Sequence, residues 1–471
     1  MSDISVKKSK KIAFIHPDLG IGGAERLVVD AAVGLQELDN EIIIFTSHCD
    51  RTHCFEEVSS ELLNVEVFGD FLPTNLFKKF HILFAILRQL YLTIRLISSS
   101  RINDYDYFIV DQLSFCIPLL SLFSRQDCQV LFYCHFPDQL LAKKGGVLKS
   151  LYRIPFDTIE EWTTGFSDRI VVNSNFTKGI FHQTFKNLNY IEPGVIYPCV
   201  DTTIIDQNED VEASDKEVKT FFNGNKYFLS INRFEKKKNI ELAIKSFAKS
   251  RKLLRGLTKP RLVIAGGYDA RVNENVIYLN ELTNLCESLK LTSFTIRGKL
   301  IIMPPATDVL FLPSIKSSLK SSLIKQAELL LYTPSFEHFG IVPVESMLFK
   351  TPVLCVNNGG PIESVINFTD DNVDKATGFT EEPDYEKWAK IMIKYYNETD
   401  QTIKEKLGHN GYDRVVNNFS REETSKAFLT NLEQTVSNDH YKKGILYYLF
   451  KNWKINVIVL FIAIIVYIFV S

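Results

Sequence analysis

Apolar residues along this chain follow two rhythms, and their alternation lays out most of the molecule. Short runs that are apolar on both faces recur between longer stretches whose apolar residues lie three and four apart. The first kind reads as a strand covered on both sides, the second as an amphipathic helix. Residues 12–15 form such a run and lead into a glycine-rich turn at Gly20, Gly22 and Gly23. A helix with Leu27, Val28, Ala31 and Leu35 on one face follows. EIIIFTS, DYFIVDQ, QVLFYCHF and DRIVVNSNFT continue the strands of this first series. A second series opens near residue 225 with the strand YFLSINRF, the helix IELAIKSFAKS and the strands RLVIAGGY, AELLLYTP and PVLCVN. Strands alternating with helices predict an α/β protein of two doubly wound units, each with a parallel sheet. Such sheets bind ligands at the carboxyl ends of their strands, so an active cleft between the units is expected.

The same pattern suggests boundaries. Residues 1–200 form a first domain and 225–415 a second. Residues 201–224, acidic and poor in apolar residues, are expected to be a linker. A crossover helix is expected over 416–440 and a membrane anchor over 441–471. The anchor rests on INVIVLFIAIIVYIFV (455–470), whose one polar residue is Asn456, preceded by Lys442, Lys443, Lys451, Lys454, Tyr447, Tyr448 and Trp453. The stretch 76–97 is strongly apolar yet carries Lys78, Lys79, Arg88 and Arg95. Two readings stand for it: a helix in the membrane interface with its basic residues on headgroups, or a domain helix with snorkelling basic residues. The stretch 290–325 carries no usable motif and looks prone to insertion.

A length of 471 residues is too great for one compact core. The formal charge of −2 supplies no basic field for nucleic acid, so an anionic ligand must be held locally. Eight scattered cysteines, several within apolar runs, read as the reduced thiols of a cytosol-facing protein. His48, Cys49, His53 and Cys54 crowd one loop, but no second ligand pair with zinc spacing follows, so a plain loop is the expectation. Asp104-Tyr-Asp106 is read as a coincidental Asp-x-Asp, and no metal is predicted.

Three constellations carry candidate chemistry. In GIGGAER, backbone amides at Gly22 and Gly23 open a helix, where an anion can approach. INRFEKKKN sets Arg233 and Lys238 just past a strand, two cations suited to a departing diphosphate, although a solvated basic turn reads the same way. YTPSFEHFGIVPVESM sets Glu337 and Glu345 eight positions apart across a loop that becomes a helix. A carboxylate accepts two hydroxyls at once, which suits a vicinal diol. The amides of Gly340, Ile341 and Val342 can meet phosphate oxygens at the same helix start. NNGGPIES then supplies Gly359, Gly360 and Glu363.

Together GGAER, R-x4-K, E-x7-E and GGP-x-E resemble the retaining GT-B glycosyltransferases of family four, over most of residues 12–436. More closely, IAFIHPDLGIGGAERLVVDAA, FYCHFPDQLLA, VIYPCVD and SFEHFGIVPVE are similar to the dolichol-pathway mannosyltransferases that add the second and third mannoses. The resemblance implies two Rossmann-like domains and transfer from GDP-mannose to a dolichyl-diphosphate-linked oligosaccharide, α-1,3 then α-1,6, with retention. It places the catalytic domains at the cytosolic face of the endoplasmic reticulum membrane, with other mannosyltransferases of the pathway as further partners and no cofactor besides the donor. It assigns Glu345 to the ribose hydroxyls, Glu337 to the donor sugar, Arg233 and Lys238 to the diphosphate, and Gly22 and Gly23 to donor phosphate or acceptor. His135, in HFPD, becomes the histidine near the transferred sugar, with Asp138 orienting it or binding acceptor. Glu337 would stabilise an oxocarbenium-like state rather than attack it. A catalytically idle membrane scaffold is the rival reading; the four retained charged residues argue against it.

Overall fold

The structure, a computed structural model, describes residues 9–76, 80–141, 147–205, 209–256 and 259–434. The segments expected to anchor the chain lie outside these residues. Two compact units emerge: one holds residues up to Tyr197 and again from Arg421, the other Pro198–Ser420.

The first unit is built on seven strands: β1 (Lys11–His16), β2 (Glu41–Thr46), β3 (Asn64–Val67), β4 (Tyr107–Asp111), β5 (Gln129–Cys134), β6 (Arg169–Val172) and β7 (Gly194–Val195). They form one parallel sheet in the order β3-β2-β1-β4-β5-β6-β7. The order reverses between β1 and β4, a topological switch point. Successive strand residues face opposite sides of the sheet. Ile12, Phe14, Ile109 and Leu131 therefore join one core with Val28 and Leu35, while Ala13, Ile15, Val110 and Phe132 join another with Leu92 and Leu96. The helix Gly23–Glu37 buries the face predicted for it. The helix Arg421–Glu433 adds Phe428, Leu429 and Leu432 to the first of these cores.

The helix His81–Ser98 is long and apolar enough to cross a membrane, by length and composition. Within the unit it packs Leu92 and Leu96 into the core. Its Arg88 does not reach outward. That side chain is 6% exposed and donates to Ser47 O and Asp70 Oδ1, each at 3.0 Å. Of the two readings of this stretch, neither a headgroup-facing nor a snorkelling side chain describes Arg88, whose guanidinium is satisfied by acceptors inside the fold.

The second unit repeats the plan with β8 (Tyr227–Ile231), β9 (Arg261–Gly266), β10 (Ser293–Thr295), β11 (Val309–Pro313), β12 (Leu329–Tyr332), β13 (Val353–Val356) and β14 (Gly378–Glu381). All are parallel, in the order β10-β11-β9-β8-β12-β13-β14. Phe228, Leu262, Phe311, Leu331 and Leu354 share a core with Phe247, Tyr278 and Trp388 from the flanking helices.

One expectation is corrected here. The supposed linker contains the helix Glu209–Phe222, whose Val218 and Phe222 are buried, Phe222 stacking on Tyr227 at 4.3 Å. Burying such a side chain is worth about 1.5–3 kcal/mol, which ties the helix to the fold. Acidic composition misled because a helix needs only one apolar stripe. The stretch 290–325 supplies β10, β11 and the helix Ser317–Gln326, which packs on the same helix through Ser318 to Ser214 (3.1 Å).

Candidate functional site

In the second unit, the residues past β8 run against the turn after β9. Gly266 has φ +140°, and a Cβ there would lie 2.1 Å from Asn232 O. Only glycine permits that approach. The loop delivers Lys238, whose ammonium meets Glu337 Oε1 at 2.6 Å with side chains 10% and 26% exposed. Thr333 fixes the same turn by donating to Lys238 O at 2.7 Å. Arg233 stands apart: it is mostly exposed and pairs with Glu235 at 3.1 Å.

The loop carrying Glu337 is held by its neighbour after β13. Gly360 N–H donates to Glu337 O at 2.7 Å, and Phe336 N–H to Asn358 Oδ1 at 2.7 Å. A Cβ on Gly360 would lie 2.3 Å from Phe339 Cα, and one on Gly359, at φ +70°, 2.7 Å from Glu337 O. The GGP-x-E motif is therefore the seat of the glutamate loop. Gly340, at φ +84°, is the N-cap of the helix Ile341–Leu348 and makes no side-chain cap hydrogen bond to its first turn, which opens with Ile341 and Val342. Within that helix Glu345 Oε1 accepts from Lys320 at 2.7 Å, while its buried Oε2 has no partner among the described residues. Tyr332 sits among these groups. Burial, and then Glu337, push its hydroxyl well above the ordinary tyrosine pKa, with Glu345 adding to this and Arg233 opposing it.

In the first unit, polar residues end three adjacent strands of the sheet. His16 closes β1, Asp111 closes β4, and His135 follows β5. Asp111 Oδ1 meets His16 Nδ1 at 2.7 Å, and its Oδ2 meets His135 Nε2 at 3.0 Å. Asn173 donates to His135 O at 3.0 Å and fixes the backbone there. Sequence reasoning missed Asp111 and offered Asp138 either as the acid that orients His135 or as an acceptor-side residue. Asp138 is instead paired with Arg153 at 3.0 Å, and its amide donates to Glu160 Oε1 at 2.7 Å. Asp138 opens a separate short helix (Asp138–Leu141), whereas β4 and β5 are hydrogen-bonded neighbours. A charged residue ending an otherwise apolar strand was the available signal. Lys320 and Asn358 had none.

Gly22 and Gly23 open the helix as predicted. Neither has positive φ, a Cβ on Gly23 would meet open space, and one on Gly22 would meet only the mobile end of Glu25. In the His/Cys loop, His48 Nδ1 pairs with Asp70 at 2.7 Å and Cys54 Sγ bonds Arg51 O at 3.6 Å. No group of three or more potential metal ligands gathers among the described residues.

Two seven-stranded parallel sheets with charged residues at their strand ends are the plan of the GT-B glycosyltransferases, and the solved structures agree. A glycosyltransferase from Rickettsia africae superposes with TM-score 0.64 at 17% identity, covering 91% of this chain and 99% of that one. The catalytic domain of starch synthase IV from Arabidopsis thaliana does so with TM-score 0.66 at 13% identity, covering 91% and 100%. Family models divide along the same line: Glycosyltransferase Family 4 matches residues 21–204, and Glycosyl transferases group 1 matches 211–414. Among characterised sequences, the α-1,3/1,6-mannosyltransferase ALG2 of Debaryomyces hansenii is 66% identical, covering 97% of each chain. That of Candida albicans is 64% identical over 89% and 98%, and that of Saccharomyces cerevisiae 50% over 91% and 86%. The chain belongs to this family of α-1,3/1,6-mannosyltransferases.

Proposed function

We propose that this enzyme transfers mannose from GDP-mannose to a dolichyl-diphosphate-linked oligosaccharide, first α-1,3 and then α-1,6, with retention. The reaction runs at the endoplasmic reticulum membrane on its cytosolic side, early in assembly of the glycan for protein N-glycosylation. The observation that carries this reading is the Lys238–Glu337 pair at 2.6 Å, beside Glu345 on its own lysine. An ammonium has three donors. With one on Glu337, Lys238 keeps two for diphosphate oxygens, and Arg233, exposed, adds a second cation.

In this mechanism the diphosphate is neutralised by side chains, with no metal called for. Glu345 holds the ribose diol through the oxygen that Lys320 leaves unused. The amides of Gly340, Ile341 and Val342 face phosphate at the helix start. As the C1–O bond to the diphosphate breaks, positive charge grows on the sugar ring, and Glu337 stabilises it. The acceptor hydroxyl adds to C1 on the same face and gives its proton to the leaving phosphate oxygen. His135 faces the transferred sugar, and Gly22 and Gly23 let acceptor or donor phosphate approach the backbone. Asp138, held by Arg153, is left with an acceptor-side role.

The deciding experiment supplies the purified enzyme with GDP-mannose and a synthetic lipid-linked trisaccharide. Sequential α-1,3 and α-1,6 products, at a rate unchanged by EDTA, support the reading. Equal transfer from UDP-N-acetylglucosamine, or dependence on a divalent ion, sinks it.

A further inference from the structure

The switch point of the first sheet holds more than one histidine. His16 is wholly buried, with Nδ1 2.7 Å from Asp111 Oδ1 and Nε2 2.9 Å from Asp18 O. A backbone carbonyl only accepts, so Nε2 carries hydrogen. Asp111, 2% exposed, faces a histidine with each oxygen and lies in a region where an unpaired charge is costly. The arrangement is fully satisfied when His16 is an imidazolium donating from both nitrogens and Asp111 is a carboxylate accepting twice. His135, 18% exposed, is the one member that reaches solvent. Burial alone would discharge both inner groups. The mutual attraction overrides it, raising the His16 pKa and lowering that of Asp111.

We propose that Asp111 is the positioning residue for His135, and that His16 is a fixed buried cation that keeps Asp111 ionised. Asp111 thereby locks His135 as the Nε2–H tautomer and leaves Nδ1 unprotonated. A nitrogen lone pair, not an N–H, is then the polar group His135 has left to offer, and it selects a sugar hydroxyl as partner. The device matches its place in the fold: β1, β4 and β5 are adjacent, so their ends set three side chains in a row. The inference rests on the reading that His135 faces the transferred sugar, and deepens it.

Histidine-selective ¹⁵N NMR of the full-length enzyme, with resonances assigned through His16→Gln and His135→Gln, tests the proton positions. At neutral pH, His16 is expected with both nitrogens protonated and His135 with Nδ1 bare. Asp111→Asn retains the shape but offers one acceptor and one donor, so one of the two rings must change its protonation. That variant is expected to lose about 100-fold in kcat, a cost typical of a misaligned reacting group, with KM for GDP-mannose little changed. His135→Ala should lose as much, and the double variant no more than either.

A neutral His16 in the wild-type spectrum overturns the proposal. So does an Asp111→Asn enzyme that keeps wild-type kcat while His135→Ala is impaired. Full activity in His135→Ala overturns the sugar-facing premise instead, a result told apart by the wild-type spectrum. If Asp111→Asn does not fold, the wild-type spectrum and the kcat of His16→Gln, which keeps a donor to Asp111 but loses the charge, decide the matter.

Discussion

The two units share one architecture yet solve the problem of strand-end charge in opposite ways. In the second unit, each carboxylate pairs with a lysine on another segment, Glu337 with Lys238 and Glu345 with Lys320, and all four side chains remain partly open to solvent. In the first, a single carboxylate lies almost wholly buried between two histidines. The second arrangement leaves donors and acceptors spare, as ligand binding requires. The first leaves almost none, as holding a ring in one orientation requires. Glycine shows the same contrast. Gly359 and Gly360 seat a loop against backbone at distances no Cβ allows, whereas a Cβ on Gly23 would meet open space.

The largest effect expected from breaking this contrast is Glu345→Ala. It leaves Lys320 uncompensated and removes the diol contact proposed for Glu345, and transfer should fall by about 10³-fold while the circular dichroism spectrum and membrane association persist. Full activity in the purified variant would show that the second unit's ion pairs are merely structural.

Gly360→Ala comes next. The added carbon collides with the Phe339 backbone, so the second unit should lose about 3 kcal/mol, read as a lower urea midpoint. Gly23→Ala is its counterpart. Stability should stay within about 0.5 kcal/mol, and any defect should fall on substrate KM. Equal destabilisation by the two would erase the distinction between a glycine that seats a loop and one that faces a ligand.

A smaller, pH-dependent effect is expected at Glu160. Burial, with repulsion from Asp138, pushes its carboxyl up to about 8 despite two backbone N–H donors. Unfolded, the group titrates near 4.5, the ordinary value for a glutamate. The folded state thus holds a proton that the unfolded state has lost, so this contribution to stability is complete below about pH 4.5 and disappears as pH rises to about 8. Thermal melts across that window should flatten in Glu160→Gln; an unchanged slope would assign the dependence to other groups. Asp138→Asn should do least, about twofold in kcat, since a partly exposed pair with Arg153 contributes about 1 kcal/mol at most. A loss matching that of Asp111→Asn would favour Asp138 as the orienting acid over its acceptor-side role.

Periodicity and motif spacing made much of this legible. The strands, the helix face of Leu27, Val28, Ala31 and Leu35, and the loop-to-helix setting of Glu337 and Glu345 follow from local patterns, because burial on two faces or one leaves a repeat that can be read residue by residue. The helix Glu209–Phe222 was hidden by its acidity, since composition averages over the stripe that matters. Asp111, Lys320 and Asn358 were hidden for a different reason. Each acts on a residue remote in sequence, from 22 to 25 positions away. Those contacts exist only once parallel strands are laid side by side and loops of like polarity meet at their ends. The chain by itself determined which charged groups and glycines stand at the loop-to-helix turns; the order of strands in each sheet decided which acid holds which base.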